Sequence, residues 1–406
     1  MNCQKSEGNS NGKCQNNNNN GNSQVNFDPA FVETFRDTIY TASGFSACGK
    51  LFSTLFGMDY LTAMLISAAV IVIYTVMGGF LAASFTDLIQ SIIMTVALVV
   101  VLGFGVTQAG GVEAVLDNAR SLTDYLSLIR IHDPATGGSE PYGLLTICSL
   151  LAWGLGYFGM PHILVRFMAI EEEKKLKLSR RVATSWVVIS MAVAIIIGLV
   201  GNAMTSAGVL ENLADSETII VRIASLISQF GPLPALLAGV ILAGILATTM
   251  STADSQLLAA SSSVSQDLGN DFLKRDFSGK RGMIVARAVM VGISLIAAFL
   301  ARDPDSSVFR VVSFAWAGFG AAFGPVMLMA LFWKRSNKWG ALAGMVVGGV
   351  MVFVWKFLIA PLGGVWAIYE LLPAFLCSLV AIVVASLLTP APEQSVVQIF
   401  EEIRKK

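Results

Sequence analysis

The chain has 406 residues, of which 55% are hydrophobic and 13% charged, and its formal net charge is zero. A typical soluble domain carries about 25% charge, so this balance excludes an ordinary water-soluble fold and points to a polytopic membrane protein. Zero net charge gives no global field for nucleic acid. Five scattered cysteines (Cys3, Cys14, Cys48, Cys148, Cys377) and two distant histidines (His132, His162) show no metal or redox spacing.

In chain order, residues 1–34 come first, rich in Asn, Gly and Ser with no apolar core. They read as a disordered leader, neither signal peptide nor span. Residues 35–56 form a weaker span, interrupted by Arg36, Asp37 and Lys50. Nine clear apolar windows follow, near 61–86, 88–109, 142–165, 183–207, 232–260, 284–301, 311–333, 340–358 and 368–388. A transmembrane domain over 35–390 and a cytoplasmic tail over 391–406 complete the layout.

Loop charge alternates along these windows. Loop 166–182 carries Arg166, Lys174, Lys175, Lys177, Arg180 and Arg181, and loop 261–283 carries Lys274, Arg275, Lys280 and Arg281. The short loop 334–339 adds Lys334, Arg335 and Lys338, whereas 208–218 has no Lys or Arg. By the positive-inside rule the basic loops and the C-terminus face the cytoplasm.

Three segments carry unusual polarity. In "ILATTMSTADSQLL" (245–258), Thr248, Ser251, Thr252 and Ser255 share one face, within roughly a 100° arc at 100° per residue. Such a stripe supplies hard oxygen ligands for an alkali cation, or else lets helices pack closely. Asp254 and Gln256 are expected near the cytoplasmic mouth, where a carboxylate costs less. In "LLAWGLGYFGMPHILVRF" (150–167), Gly154, Gly156, Gly159 and Pro161 weaken the helix. A break in lipid survives only where it lines a cavity or is covered by protein, the usual arrangement at transporter midplanes. Trp153 and Tyr157, at i and i+4, would then wall one side of a small-ligand pocket, unless they simply pack a kinked helix. Asp87 follows "YTVMGGFLAASFT" and either caps the next helix or lies on a cation pathway. Arg166 is an interface anchor on charge alone. The small residues of 313–325 and 340–349 are helix-contact faces first.

The stretches "WGLGYFGMPHILVRFM", "ILATTMSTADSQLL" and "AWAGFGAAFGPVMLMALFWKR" resemble the proline-transporting branch of the bacterial solute:sodium symporter family, and the similarity runs from about residue 38 to 392. The resemblance implies an all-α polytopic protein with an inverted-repeat, leucine-transporter-like fold, binding one Na+ and one L-proline near the midplane. It implies sodium ligands at Ser251 and Thr252. A backbone ligand falls at Thr248, where that branch usually has Ala. It implies substrate positions at Trp153, Tyr157, Pro161 and Tyr40, sodium dependence at Asp87 and coupling at Arg166. It carries no expectation of an enzyme, and places the chain in the bacterial inner membrane.

Relatives of this kind carry further spans ahead of the Tyr40 helix, including a broken core helix that completes the sodium site. The leader stands there in this sequence, so the expectation is a truncated member, lacking its first core helices, that inserts in membranes without concentrating proline alone. Symport of another small solute, or a non-transporting membrane sensor or interaction subunit, are the competing expectations. A membrane hydrolase is disfavoured because the spans hold no Ser/His/Asp or paired-carboxylate cluster.

Overall fold

The computed structural model describes residues 29–134, 136–213, 215–265, 279–303 and 308–405. The leader reading over 1–28, and Lys274 and Arg275 of the basic loop, lie outside the described residues. The helices run α1 (Pro29–Phe56), α2 (Tyr60–Gln108), α3 (Val112–Ser121), α4 (Leu144–Ala152), α5 (Pro161–Met168), α6 (Lys175–Ser206), α7 (Ile219–Ser228), α8 (Pro232–Ser262), α9 (Gly279–Leu300), α10 (Val308–Phe332), α11 (Lys338–Val354), α12 (Leu371–Leu388) and α13 (Gln394–Lys405). Helix α1 starts at Pro29 rather than after residue 34.

Among the described residues, eight helices are long and apolar enough to cross a membrane, and the bent pair Leu144–Gly159 and Pro161–Met168 makes a ninth. These coincide with the nine windows read from sequence. Their outward faces are rich in exposed large apolar side chains, among them Ile73, Leu81, Val99, Ile195 and Leu236. In water such a belt would drive association. In a bilayer it is the lipid-facing surface.

One boundary moves. The second and third windows form a single element, α2, broken at Gly79, whose φ of 64° and ψ of −169° suit a residue without Cβ. The two spans are therefore Tyr60–Leu81 and Ala83–Gln108. Asp87 consequently lies within the second helix instead of in the turn, and the capping alternative for it is set aside. The break follows the glycine pair, not the charge.

Lipid tails are as apolar as leucine, so close van der Waals contact, not water exclusion, holds such helices together. The small residues provide it. A Cβ on Gly340, Gly344 or Gly348 would run into Ser386, Ile382 or the Ala321 carbonyl respectively. Helix α10 buries an unbroken run from Ala315 to Ala322. Helix α11 starts at the N-cap Asn337, whose side-chain oxygen accepts from the Gly340 N–H at 2.8 Å. The amide of that side chain reaches the Pro390 carbonyl at 2.8 Å, tying the end of α12 to the start of α11.

The loops hold structure that the apolar windows did not mark. Loop 110–141 contains α3 and a two-stranded antiparallel hairpin, β1 (Arg130–His132) with β2 (Ser139–Pro141), in the register Ile131 opposite Glu140. Loop 208–231 contains α7, and the tail contains α13.

Candidate functional site

On α8 the hydroxyls close on one backbone oxygen. The Thr248 carbonyl accepts from Ser251 Oγ at 3.0 Å and from Thr252 Oγ1 at 3.1 Å. The hydroxyl of Thr248 itself turns back to the Gly244 carbonyl at 2.9 Å. The oxygen that position 248 offers is therefore its carbonyl, so the side chain there matters little. Each hydroxyl keeps lone pairs free when its proton points at the carbonyl. Rotating the two protons away exposes three neutral oxygens, the donor type a hard cation takes. The flank that carries them is open, with Thr248 exposed.

The second unusual segment is a broken helix. Helix α4 tightens into a 3-10 stretch at Trp153–Gly159, Met160 is extended (φ −87°, ψ 107°), and α5 begins at Pro161. The two halves are bent by 55°. A 3-10 helix has three residues per turn, so positions four apart are rotated by about 120°. Trp153 and Tyr157 therefore do not share a face as an α-helical i, i+4 pair would. Trp316 of α10 fills the angle between them. It stacks on Trp153 (centroids 5.5 Å apart, 17° between planes) and meets Tyr157 edge-on at 4.8 Å. Its indole N–H donates to the Trp153 carbonyl at 2.9 Å, bonding a backbone oxygen at the break.

This fit requires glycine. A Cβ on Gly156 would enter the Trp316 indole, one on Gly320 would lie 2.7 Å from the Gly156 Cα, and one on Gly159 would strike the Phe319 carbonyl. Trp153 is held from behind by Phe309 and Tyr369, with centroids at 5.5 and 6.0 Å. Tyr157 remains half exposed. Tyr40 of α1 also reaches this region: its ring lies 6.2 Å from that of His162, the neighbour of Pro161. The structure thus brings Tyr40 to the Pro161 end of the break and Tyr157 to Trp316, while Trp153 lies in the aromatic wall behind Trp316.

Asp87 and Arg166, distant in sequence, form an ion pair at 2.5 Å. The same Arg166 nitrogen donates to Ser255 Oγ at 2.6 Å. Ser255 in turn directs its single hydroxyl proton at the Ser251 carbonyl at 2.9 Å, with Asp254 Oδ1 at 3.2 Å as the alternative acceptor. Asp254 is fully buried and accepts from the Tyr74 hydroxyl at 2.7 Å, so the expectation of an inexpensive place at the aqueous mouth is corrected. A buried carboxylate needs donors, and Tyr74 supplies the short one. The result is a connected path from the Asp87–Arg166 pair to the residue whose hydroxyl sits on the Thr248 carbonyl.

Sequence reasoning missed Tyr74 and Trp316. With Asp254 expected at the aqueous mouth no donor was called for, and which helix supplies one depends on packing. Trp316 was assigned to a contact face, which it is, and the 3-10 geometry that makes it a wedge has no sequence period of its own.

Towards the end of α1, Lys50 bridges Asp215 at 3.2 Å and Glu217 at 3.0 Å, fastening α1 to the segment before α7. Burial alone would raise the Asp215 carboxyl. The Glu217 backbone N–H and the Lys50 ammonium outweigh it and hold the group below the ordinary carboxylate range.

The sequence profile of the sodium:solute symporter family matches residues 35–348. The chain belongs to that family. Among symporter-family relatives, the osmoregulated proline transporter OpuE of Bacillus subtilis is 39% identical over 369 residues, which are 91% of this chain and 71% of that protein. The high-affinity proline transporter PutP of Bacillus subtilis is 40% identical, covering 90% of this chain and 73% of its own length. The sodium/proline symporter of Escherichia coli is 37% identical over 90% of this chain and 70% of its own. A solved Na+-coupled sialic acid symporter, described as substrate-bound and outward-open, superposes with a TM-score of 0.66 over 90% of this chain and 75% of that one at 17% identity. This likeness shows the fold: an inverted-repeat, leucine-transporter-like helical membrane protein.

Proposed function

We propose that this symporter-family chain couples inward sodium flow to uptake of L-proline across the bacterial inner membrane, a reading that replaces the expectation of a chain unable to concentrate proline alone. The observation that carries the sodium half is the convergence of Ser251 and Thr252 on the Thr248 carbonyl. Proline as the solute rests on the relatives, which are proline transporters at 37 to 40% identity.

In this reading sodium is a transported substrate held by the Thr248 carbonyl and the Ser251 and Thr252 hydroxyls. L-Proline lies at the break, against Tyr157 and Tyr40, with Pro161 beginning the inner half-helix and Trp153 bracing Trp316. Asp87 and Arg166 act in coupling. Sodium can bias the outward–inward equilibrium only by binding the two states differently. Ser255 gives that bias a route, since it bonds both the Ser251 carbonyl and Arg166. One charge moving down 100 mV yields about 2.3 kcal/mol. At about 1.4 kcal/mol per decade, the potential alone sustains roughly a forty-fold solute gradient.

The basic loops 166–182 and 334–339 support an orientation with the C-terminal tail in the cytoplasm. The transport domain is then 35–390, in a lipid bilayer, and it carries solutes without chemical conversion. The test is proline uptake against sodium concentration for Ser251→Ala and Thr252→Ala. A raised half-maximal sodium concentration with little change in proline recognition is expected. An unmoved value would remove the assignment.

A further inference from the structure

Beyond the helix break, α2, α5, α8 and α9 line a cavity of about 350 Å³ that the proposed sodium and proline positions do not use. Its polar lining includes His162, Arg166, Ser255 and Ser262, and the rest of its wall is largely apolar. It is many times the size needed by one water, and it lies along the half-helix that leads from Pro161 to the basic loop. Its upper end adjoins Tyr40, through the contact of that ring with His162.

The ion pair on its wall is incomplete on both sides. Among the described residues Arg166 engages acceptors through one terminal nitrogen only, shared by Asp87 Oδ2 and Ser255 Oγ. A guanidinium has five N–H donors, arranged to grip a carboxylate with two of them. Asp87 Oδ1 is buried without a partner, and so is His162 Nδ1. The Ser262 side chain is exposed to the cavity, and its hydroxyl makes no hydrogen bond among the described residues.

We propose that this cavity is an inner release site for the carboxylate of the transported amino acid, in which Arg166 exchanges Asp87 for the substrate. The inference rests on the reading of the chain as an amino-acid symporter. Breaking a partly buried ion pair outright leaves an uncompensated charge and is costly. A substrate carboxylate arriving at the free N–H edge of Arg166 replaces the Asp87 contact as that contact opens. The guanidinium stays paired throughout, and Asp87 closes back when the substrate leaves.

The test uses Ser262→Cys in the full chain, in inside-out membrane vesicles and sodium-free medium. The rate of alkylation by a membrane-impermeant maleimide is read at that position by peptide mass spectrometry, which keeps the five native cysteines out of the signal. L-Proline is expected to slow labelling at least threefold, L-prolinamide to leave it unchanged, and Arg166→Gln to abolish the protection. Ala259→Cys, on the same cavity wall, provides a second reporter if the first variant does not fold. Equal protection by both compounds would overturn carboxylate recognition. No protection by either, in a variant that still accumulates proline with sodium, would overturn the release site and leave symport standing. Absence of sodium-driven uptake by the unsubstituted protein would remove both.

Discussion

Ser251 and Thr252 both donate to one carbonyl, so removing either hydroxyl takes one oxygen from the same point. A hydrogen-bonding group facing a charge is worth about 1.5–3 kcal/mol. Ser251→Ala or Thr252→Ala should therefore raise the sodium concentration for half-maximal proline uptake by about tenfold or more. Thr248→Ala should move it little, because the side chain of Thr248 is bonded to Gly244 and only its backbone faces the site. Titrating sodium against the initial uptake rate separates the three variants. At Gly156 the demand is steric: a methyl group there would enter the Trp316 ring. Overpacking of this kind costs about 1–3 kcal/mol. Gly156→Ala should accordingly lower the thermal unfolding midpoint in detergent and weaken proline binding together. The hydroxyl stripe was legible because it repeats at the helical period. The role of Trp316 was not, since the element it completes abandons that period.

At the scale of elements, the glycines and the proline of 150–167 announced the broken helix, although not its 3-10 form. That form turns Tyr157 away from Trp153 and leaves it half exposed. Tyr157→Ala is therefore expected to weaken proline binding at saturating sodium, as read by equilibrium binding to purified protein. Unchanged affinity would make Tyr157 a packing residue. A second element-scale device is the Lys50 clasp on Asp215 and Glu217. The Asp215 pKa is depressed in the folded state, so its contribution is present above the unfolded carboxylate range. It is lost as pH falls through the folded value. Acidification should free the segment before α7, seen as faster protease cleavage there, and Asp215→Asn should remove that pH step. The effect is modest, because the carboxylate is well exposed. Asp87 shows the limit of element reading. A charge beside a short turn suggested a boundary, but the backbone breaks at Gly79, where a positive φ is available. Asp87 then pairs with Arg166, across a sequence separation that no local pattern reports.

For the whole molecule, nine apolar windows and their loop charges were enough to lay out the spans, because backbone in lipid must satisfy its own hydrogen bonds as helix. The hairpin at 130–141 and helices α3, α7 and α13 escaped that test, which detects only long apolar runs. Family motifs gathered the site residues before any contact was known. The contacts then joined Asp87, Arg166, Ser255 and Ser251 into one path. The central claim is that sodium entry drives proline accumulation through this fold. It is tested most directly by the accumulation ratio of labelled L-proline in right-side-out membrane vesicles containing the protein expressed from its own gene. The inward sodium gradient and the membrane potential are set independently. The account predicts accumulation only when sodium is present, rising with either gradient and reaching up to roughly forty-fold for 100 mV alone. Equal accumulation with potassium in place of sodium, or none under any sodium gradient, would contradict it.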